Sequence, residues 1–259
     1  MASAERIRIK GISIREDIQG EGEPVLMVHG WGASIDLLQP LAQRLSRLGY
    51  RCFMLDLPGF GDSEEPPTAY TVSDFAAFCL AYMDHHRLPA AHYFGHSLGG
   101  RIGLVLAANH GERIKTLALS NSAGIRIKPP LHRRMRLNVY KFLRAGLQAA
   151  GASSAAQLLR EKYNRRYGSA DYMAASPVMR QTLINVVNQD LLEFAARIRT
   201  PTILIWGDQD VETPLWMGRK LEDTIPDAAL IVHEGAGHYA YLEFPAKTAG
   251  ILQALFRSD

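Results

Sequence analysis

Two hydrophobic patterns open the chain. Ile7, Ile9, Ile12 and Ile14 stand among polar residues at mostly period-two spacing, which predicts an antiparallel pair with one wet face. Val25-Leu26-Met27-Val28 is apolar without alternation, as a parallel strand covered on both faces must be. From there strands and helices alternate. A helix from about Ile35 to Leu48 precedes a strand from Arg51 to Leu55, and a helix from Val72 to His86 precedes the strand Ala90 to Phe94. A helical run from Arg101 to Asn109 then leads to the strand Thr116 to Ser120. Between Gly124 and about Ile198 the alternation stops: Leu137, Tyr140, Phe142 and Leu143, then Leu183, Ile184, Val186 and Val187, recur at helical spacing. Pro129-Pro130, Gly151-Ala152-Ser153-Ser154 and Ser176-Pro177 divide this stretch into short helices. The earlier rhythm returns with the strand Thr202 to Trp206, the helix Leu215 to Thr224, the strand Ala229 to His233 and a closing helix from Pro245 to Phe256. The pattern predicts an α/β fold: a mostly parallel twisted sheet of about eight strands, the first pair antiparallel, wrapped by helices, with an all-helical insertion after the sixth strand. The expected divisions are a core of residues 1–123 and 199–259 and a helical cap of residues 124–198.

The chemistry concentrates at Gly95-His96-Ser97-Leu98-Gly99-Gly100, a turn of a few residues between a strand and a helix. Such a turn strains its middle residue, so the positions two before and two after must be nearly free of side chain; Gly95 and Gly99 meet that demand. It would hold the Ser97 hydroxyl above the carboxyl edge of the sheet, beside the N–H groups that start the next helix. A serine hydroxyl is a poor nucleophile until a base takes its proton and an acid orients that base. Two later strand ends offer them: Gly207-Asp208-Gln209-Asp210-Val211-Glu212-Thr213-Pro214 and Glu234-Gly235-Ala236-Gly237-His238. Both lie at the edge where open parallel sheets place their sites. Asp208 and Asp210 compete for the acid.

With His29-Gly30-Trp31-Gly32 after one strand and Asp56-Leu57-Pro58-Gly59-Phe60-Gly61-Asp62-Ser63 after the next, these motifs resemble the α/β-hydrolase fold family, its lid-bearing serine esterase branch, over nearly the whole chain. The resemblance implies Ser97 as nucleophile, His238 as general base and then acid, and Asp210 as the carboxylate orienting His238, since the family places its acid three residues after the glycine. It implies an oxyanion hole from the backbone N–H groups of Trp31 and Leu98. Asp208 is then a solvated loop residue, and His29 a structural ring that aims the Trp31 N–H inward. His96 reads as pocket wall or packing, and His85-His86 and His110 as partners of helix C-termini. His132, Arg133 and Arg134 in the insertion are candidates for substrate contact, with His96. A serine at the turn, where dehalogenases and epoxide hydrolases of this fold carry aspartate, points to acyl chemistry.

Charge alters the picture in one region. The net charge is +3, too mild to imply nucleic acid. Between Ile125 and Arg180, however, twelve Lys or Arg (among them Lys128) stand against two acids, a balance of +10, so the remaining seventeen basic and twenty-four acidic residues leave −7. Such a patch is either a solvated face or a device steering an anionic substrate or acidic carrier. A narrower likeness, to the pimeloyl carrier-protein methyl ester esterases, favours an acidic carrier. No metal or cofactor is expected: Cys52 and Cys79 lack ligand or redox spacing and read as buried thiols. Met1 to Lys10 has no apolar core of a leader, and no run approaches a membrane span, so the expected location is cytoplasmic. The sequence thus predicts a carboxylesterase for small to medium acyl esters. Carbon-carbon bond hydrolysis, lactone opening or carrier-protein methyl ester cleavage on the same three residues, and a hydrolase-fold ligand receptor, are the alternatives.

Overall fold

The computed structural model describes residues 5–126 and 130–257; the expectations resting on Met1 to Ala4, Lys128 and Pro129 lie outside them. The chain begins with strands β1 (Glu5–Ile9), β2 (Ile12–Gln19) and β3 (Glu23–Val28). Then α1 (Gln39–Arg47), β4 (Tyr50–Leu55), α2 (Val72–His85), β5 (Ala91–His96), α3 (Leu98–Asn109) and β6 (Ile114–Ser120) alternate. Next come only helices: α4 (Leu131–Ala149), α5 (Ser153–Tyr167), α6 (Ala170–Ala174), α7 (Pro177–Asn188) and α8 (Leu192–Ala195). The core closes with β7 (Thr202–Gly207), α9 (Leu215–Glu222), β8 (Ala228–His233), α10 (Ala240–Glu243) and α11 (Pro245–Phe256).

The eight strands form one sheet in the order β1-β2-β4-β3-β5-β6-β7-β8. β2 is antiparallel to both β1 and β4, and every later pairing is parallel. Apolar side chains of one strand serve both faces. Leu26, Phe53, Tyr93 and Trp206 pack with Phe75, Ile102 and Leu221 of α2, α3 and α9. Met27, Met54, Phe94 and Ile205 pack with Leu41 of α1 and Leu252 and Phe256 of α11. That two-sided burial explains why the central strands lack alternation. Cys52 and Cys79 are buried, and burial pushes both thiols up to about 12.

Two helix starts differ from the sequence reading. The first helix splits into a 3-10 turn (Ile35–Leu37) and α1, because Asp56 Oδ1 takes the Ile35 N–H at 2.7 Å and Pro40 suits the first turn of a new helix. α3 begins at Leu98, directly after Ser97, since close packing against β3 overrides the poor helix propensity of Gly99 and Gly100.

The segment from α4 to α8 stands over the carboxyl edge of the sheet. α7 is tied to the core loops: Thr182 Oγ1 accepts the Tyr70 N–H at 3.0 Å, Asn185 donates to Tyr70 O at 3.2 Å, and Met179 is buried against Gly59. α4 buries no side chain fully, and pairs with α5 through Tyr140 stacked on Tyr163 at 4.0 Å. Among the described residues no helix is long and apolar enough to cross a membrane.

Candidate active site

Ser97 directly follows β5 and caps α3 with φ 51° and ψ −102°, a left-handed conformation that a non-glycine residue adopts only under constraint. The constraint is visible around it. The Ser97 N–H donates to Ser120 O at 3.1 Å, and Gly99 N–H donates to His29 O at 3.1 Å. A Cβ on Gly95 would lie 2.4 Å from Gly99 O, and one on Gly99 2.2 Å from Val28 O. Glycine is required at both because backbone occupies the space of a side chain.

The His29–Gly32 turn follows β3 and faces this serine. The buried His29 ring accepts the Leu57 N–H on Nε2 at 3.0 Å and donates from Nδ1 to Gly30 O at 2.7 Å, which fixes one neutral tautomer. Burial lowers its pKa, outweighing the bond to Gly30 and the charge of Asp56. Phe60 meets the Trp31 ring edge-on at 4.8 Å. Buried Asp56 holds the loop carrying Phe60, through the N–H of Asp62 at 3.0 Å, and its carbonyl accepts from Ser63 Oγ at 2.7 Å. Among the described residues no acceptor meets the N–H of Trp31 or of Leu98, and both residues line the cavity that contains Ser97.

His238, after β8, lines the same cavity, and its Nδ1 lies 2.9 Å from Asp210 Oδ2. Asp210, after β7, is buried and nearly saturated with donors. Its Oδ1 accepts from the N–H of Glu212 at 2.8 Å and of Thr213 at 2.9 Å; Oδ2 accepts from Asn121 Nδ2 at 2.7 Å and Thr213 Oγ1 at 2.6 Å. Burial works against its ionisation, but the bonds from His238, Thr213 and Asn121 prevail and hold the carboxyl far below the ordinary carboxylate range. Asp208 instead points to the rim, exposed, accepting the Gly235 N–H at 2.7 Å. Among the described residues Ser97 Oγ makes no hydrogen bond. His238 Nε2 lies 3.4 Å from the exposed Glu212 Oε2, so the serine and imidazole share a cavity without yet touching, as such pairs often do before substrate arrives.

The structure parts with the sequence reading at four candidate substrate contacts. His96 does not line the cavity: it is buried beneath it, with Nε2 against His238 O at 2.9 Å and Nδ1 without a partner. Burial, joined by the nearby His238, brings its pKa down to about 3, so it is a neutral strut that positions the His238 backbone. His132, Arg133 and Arg134 lie exposed at the start of α4, away from the cavity, because α4 turns Leu137, Tyr140, Lys141 and Arg144 inward instead. His86 also differs, reaching Glu16 Oε2 at 2.7 Å. Asn121 and Thr213, which hold Asp210, were not singled out from sequence. Their only signal is the polar run Ser120-Asn121-Ser122 at a strand end and a threonine within the acid's own loop.

The cavity measures about 1090 Å³. Ile125, Leu183, Val186 and Met217 supply an apolar wall, while Arg101, Arg126, Lys141, Arg144 and Arg160 outnumber Asp171 and Glu212.

A sequence model of the alpha/beta hydrolase fold matches residues 23–245. The chain is 29% identical over 240 residues to a pimeloyl-[acyl-carrier protein] methyl ester esterase of Chromobacterium violaceum, covering 86% of this chain and 90% of that protein. It is 27% identical over 254 residues to a 2-hydroxy-6-oxo-6-(2'-aminophenyl)hexa-2,4-dienoic acid hydrolase of Metapseudomonas resinovorans, covering 91% and 84%. The crystal structure of a hydrolase from Pseudomonas aeruginosa PA01 superimposes with a TM-score of 0.76 at 23% identity, covering 98% of each chain, which speaks for the fold.

Proposed function

We propose, from the premise that this chain belongs to the alpha/beta hydrolase fold family and is a hydrolytic enzyme, that it is a serine carboxylesterase whose α4-to-α8 segment is the lid over its site. One observation carries the reading: a serine in a strained strand-to-helix turn opens into the same cavity as an imidazole hydrogen-bonded to a buried, strongly acidic carboxylate.

In this reading Ser97 Oγ attacks the ester carbonyl carbon while its proton passes to His238 Nε2. The carbonyl oxygen gains negative charge and is received by the N–H groups of Trp31 and Leu98, which meet no acceptor among the described residues. The carbon to alkoxy-oxygen bond breaks, and the alcohol leaves with the proton from His238. A water then gives a proton to His238 and attacks the acyl-enzyme, and Ser97 is regenerated as the acid departs. Asp210, kept ionised by its five donors, holds the Nδ1 proton and so fixes which nitrogen works. Cys52 and Cys79, with thiols raised by burial, take no part.

A screen of p-nitrophenyl esters from acetate to decanoate, with a lactone and a dienoic ketone alongside, tests the assignment. Turnover of esters, best at short to medium length, supports it; turnover of the ketone alone would replace it with carbon-carbon bond hydrolysis. The exposed cations on the outside of α4 favour approach of an anionic substrate or acidic carrier. If they steer it, kcat/KM for an anionic ester falls with added salt while that for a neutral ester holds, because exposed charges are screened over about 10 Å at 0.1 M.

A further inference from the structure

Arg101 is a cation that the chemistry above leaves unused. It stands on α3 four residues after Ser97, so about 6 Å further along the helix axis. Helical side chains lean toward the N-terminus, which carries the guanidinium back toward the serine, and Arg101 lines the cavity with Ser97, Leu98 and His238. It is only 6% exposed. Among the described residues its guanidinium makes one hydrogen bond, from Nη1 to Gln189 O at 2.9 Å, and no carboxylate is within ion-pair distance. The charge it feels most, that of Asp190, has its oxygens turned to the N–H groups of Arg126 and Leu192. Burial draws the guanidinium down to about 10, and Asp190 only partly opposes this. A guanidinium has five N–H donors in a planar fork that fits a carboxylate through two parallel bonds. Taking such a charge out of water is costly unless a partner meets it.

We propose that Arg101 forms an anion-binding subsite, receiving a carboxylate carried on the acyl chain, so that the preferred substrates are monoesters of short dicarboxylic acids. This rests on the ester-hydrolase reading above. One turn of helix between serine and guanidinium keeps the spacer short, and the cationic excess on the cavity wall reinforces the preference. The apolar wall of Ile125, Leu183 and Val186 accepts the methylenes between the two ends.

The test compares monomethyl succinate, glutarate and adipate with methyl butyrate, valerate and hexanoate, on the native enzyme, Arg101→Met and Arg101→Lys. The quantity read is the ratio of kcat/KM for each charged ester to that of its uncharged match. The native ratio should exceed one. In Arg101→Met it should fall about 10–100-fold, mostly through KM, as expected for a lost hydrogen bond to a charged group. Arg101→Lys should restore part of it, and glutarate should inhibit native hydrolysis of methyl valerate more strongly than it inhibits the Met variant. An equal loss on both substrate sets would overturn the subsite, leaving Arg101 as a tie between α3 and the end of α7. So would a native enzyme that hydrolyses uncharged esters with no charge preference, although the ester reading would then stand. Absence of turnover on every ester would overturn the ester reading itself. If Arg101→Met does not fold, the native ratio and the Lys variant still decide.

Discussion

Replacing Gly99 with alanine tests whether the strained serine is held by the close approach of α3 to β3. The added methyl would lie 2.2 Å from Val28 O, 2.8 Å from Val28 C and 3.0 Å from His29 O. All three are backbone atoms, so no side chain can swing aside. Ordinary contact begins at 3.4 Å, so the start of α3 and the end of β3 must part by about 1 Å. That movement strains the Gly99 N–H bond to His29 O and the bond from Tyr93 OH to Gly99 O, now 3.1 and 2.7 Å. It also separates the N–H of Leu98 from that of Trp31, which lie on opposite sides of the gap. Overpacking of this kind costs about 1–3 kcal/mol, and a misplacement of ~1 Å at reacting groups costs about 10²-fold in rate. Ester hydrolysis should therefore lose about 10²-fold in kcat/KM, mainly in kcat, while thermal melting falls by about 2–4 °C per kcal/mol. A Gly99→Ala enzyme with both values at the native level would refute the claim that glycine is needed for close approach.

Asp210→Asn should lower kcat by about 10³–10⁴-fold, through loss of the acceptor that fixes the His238 tautomer, whereas Asp208→Asn should cost little; esterase kinetics reversed between the two would move the acid to Asp208. Glu16 supplies a pH test outside the cavity. Burial opposes its ionisation, but bonds from His86 and Tyr82, both at 2.7 Å, hold its pKa below the ordinary value. A depressed carboxylate stabilises the fold fully above its unfolded pKa of about 4.3, and that share is lost as pH falls through the lower folded value. Glu16→Gln should therefore melt lower than the native protein at neutral pH and lose less on acidification toward pH 3. An unchanged acid slope would show that this cluster does not contribute.

The periodicity of the strands and the spacing of the glycines made the sheet and the Ser97 turn legible, because both follow from short-range rules of burial and backbone strain. Asp210 was separable from Asp208 by family spacing, and the structure gives a physical difference: one carboxylate is itself buried and meets five donors, the other accepts a single N–H at the rim of the same loop. The support of that carboxylate was not legible. Asn121 is brought to Asp210 by sheet order, which places β6 beside β7, and nothing local to Asn121 signals the contact. The inward residues of α4 were equally hidden. A helix with apolar residues at Leu131, Met135, Leu137 and Tyr140 offers two faces, and only its packing on α5, through Tyr140 and Tyr163, decides that Arg144 faces the cavity while Arg133 faces solvent. For His96 the sequence leaves pocket wall and packing both open, and the turn buries the ring, which selects packing.

The role of Ser97 is tested most directly by a fluorophosphonate serine probe followed by peptide mass spectrometry, on native protein and Ser97→Ala. Stoichiometric labelling at Ser97, absent from a folded Ser97→Ala protein that has also lost ester hydrolysis, is the predicted result. Labelling at another residue with hydrolysis intact in Ser97→Ala would contradict it.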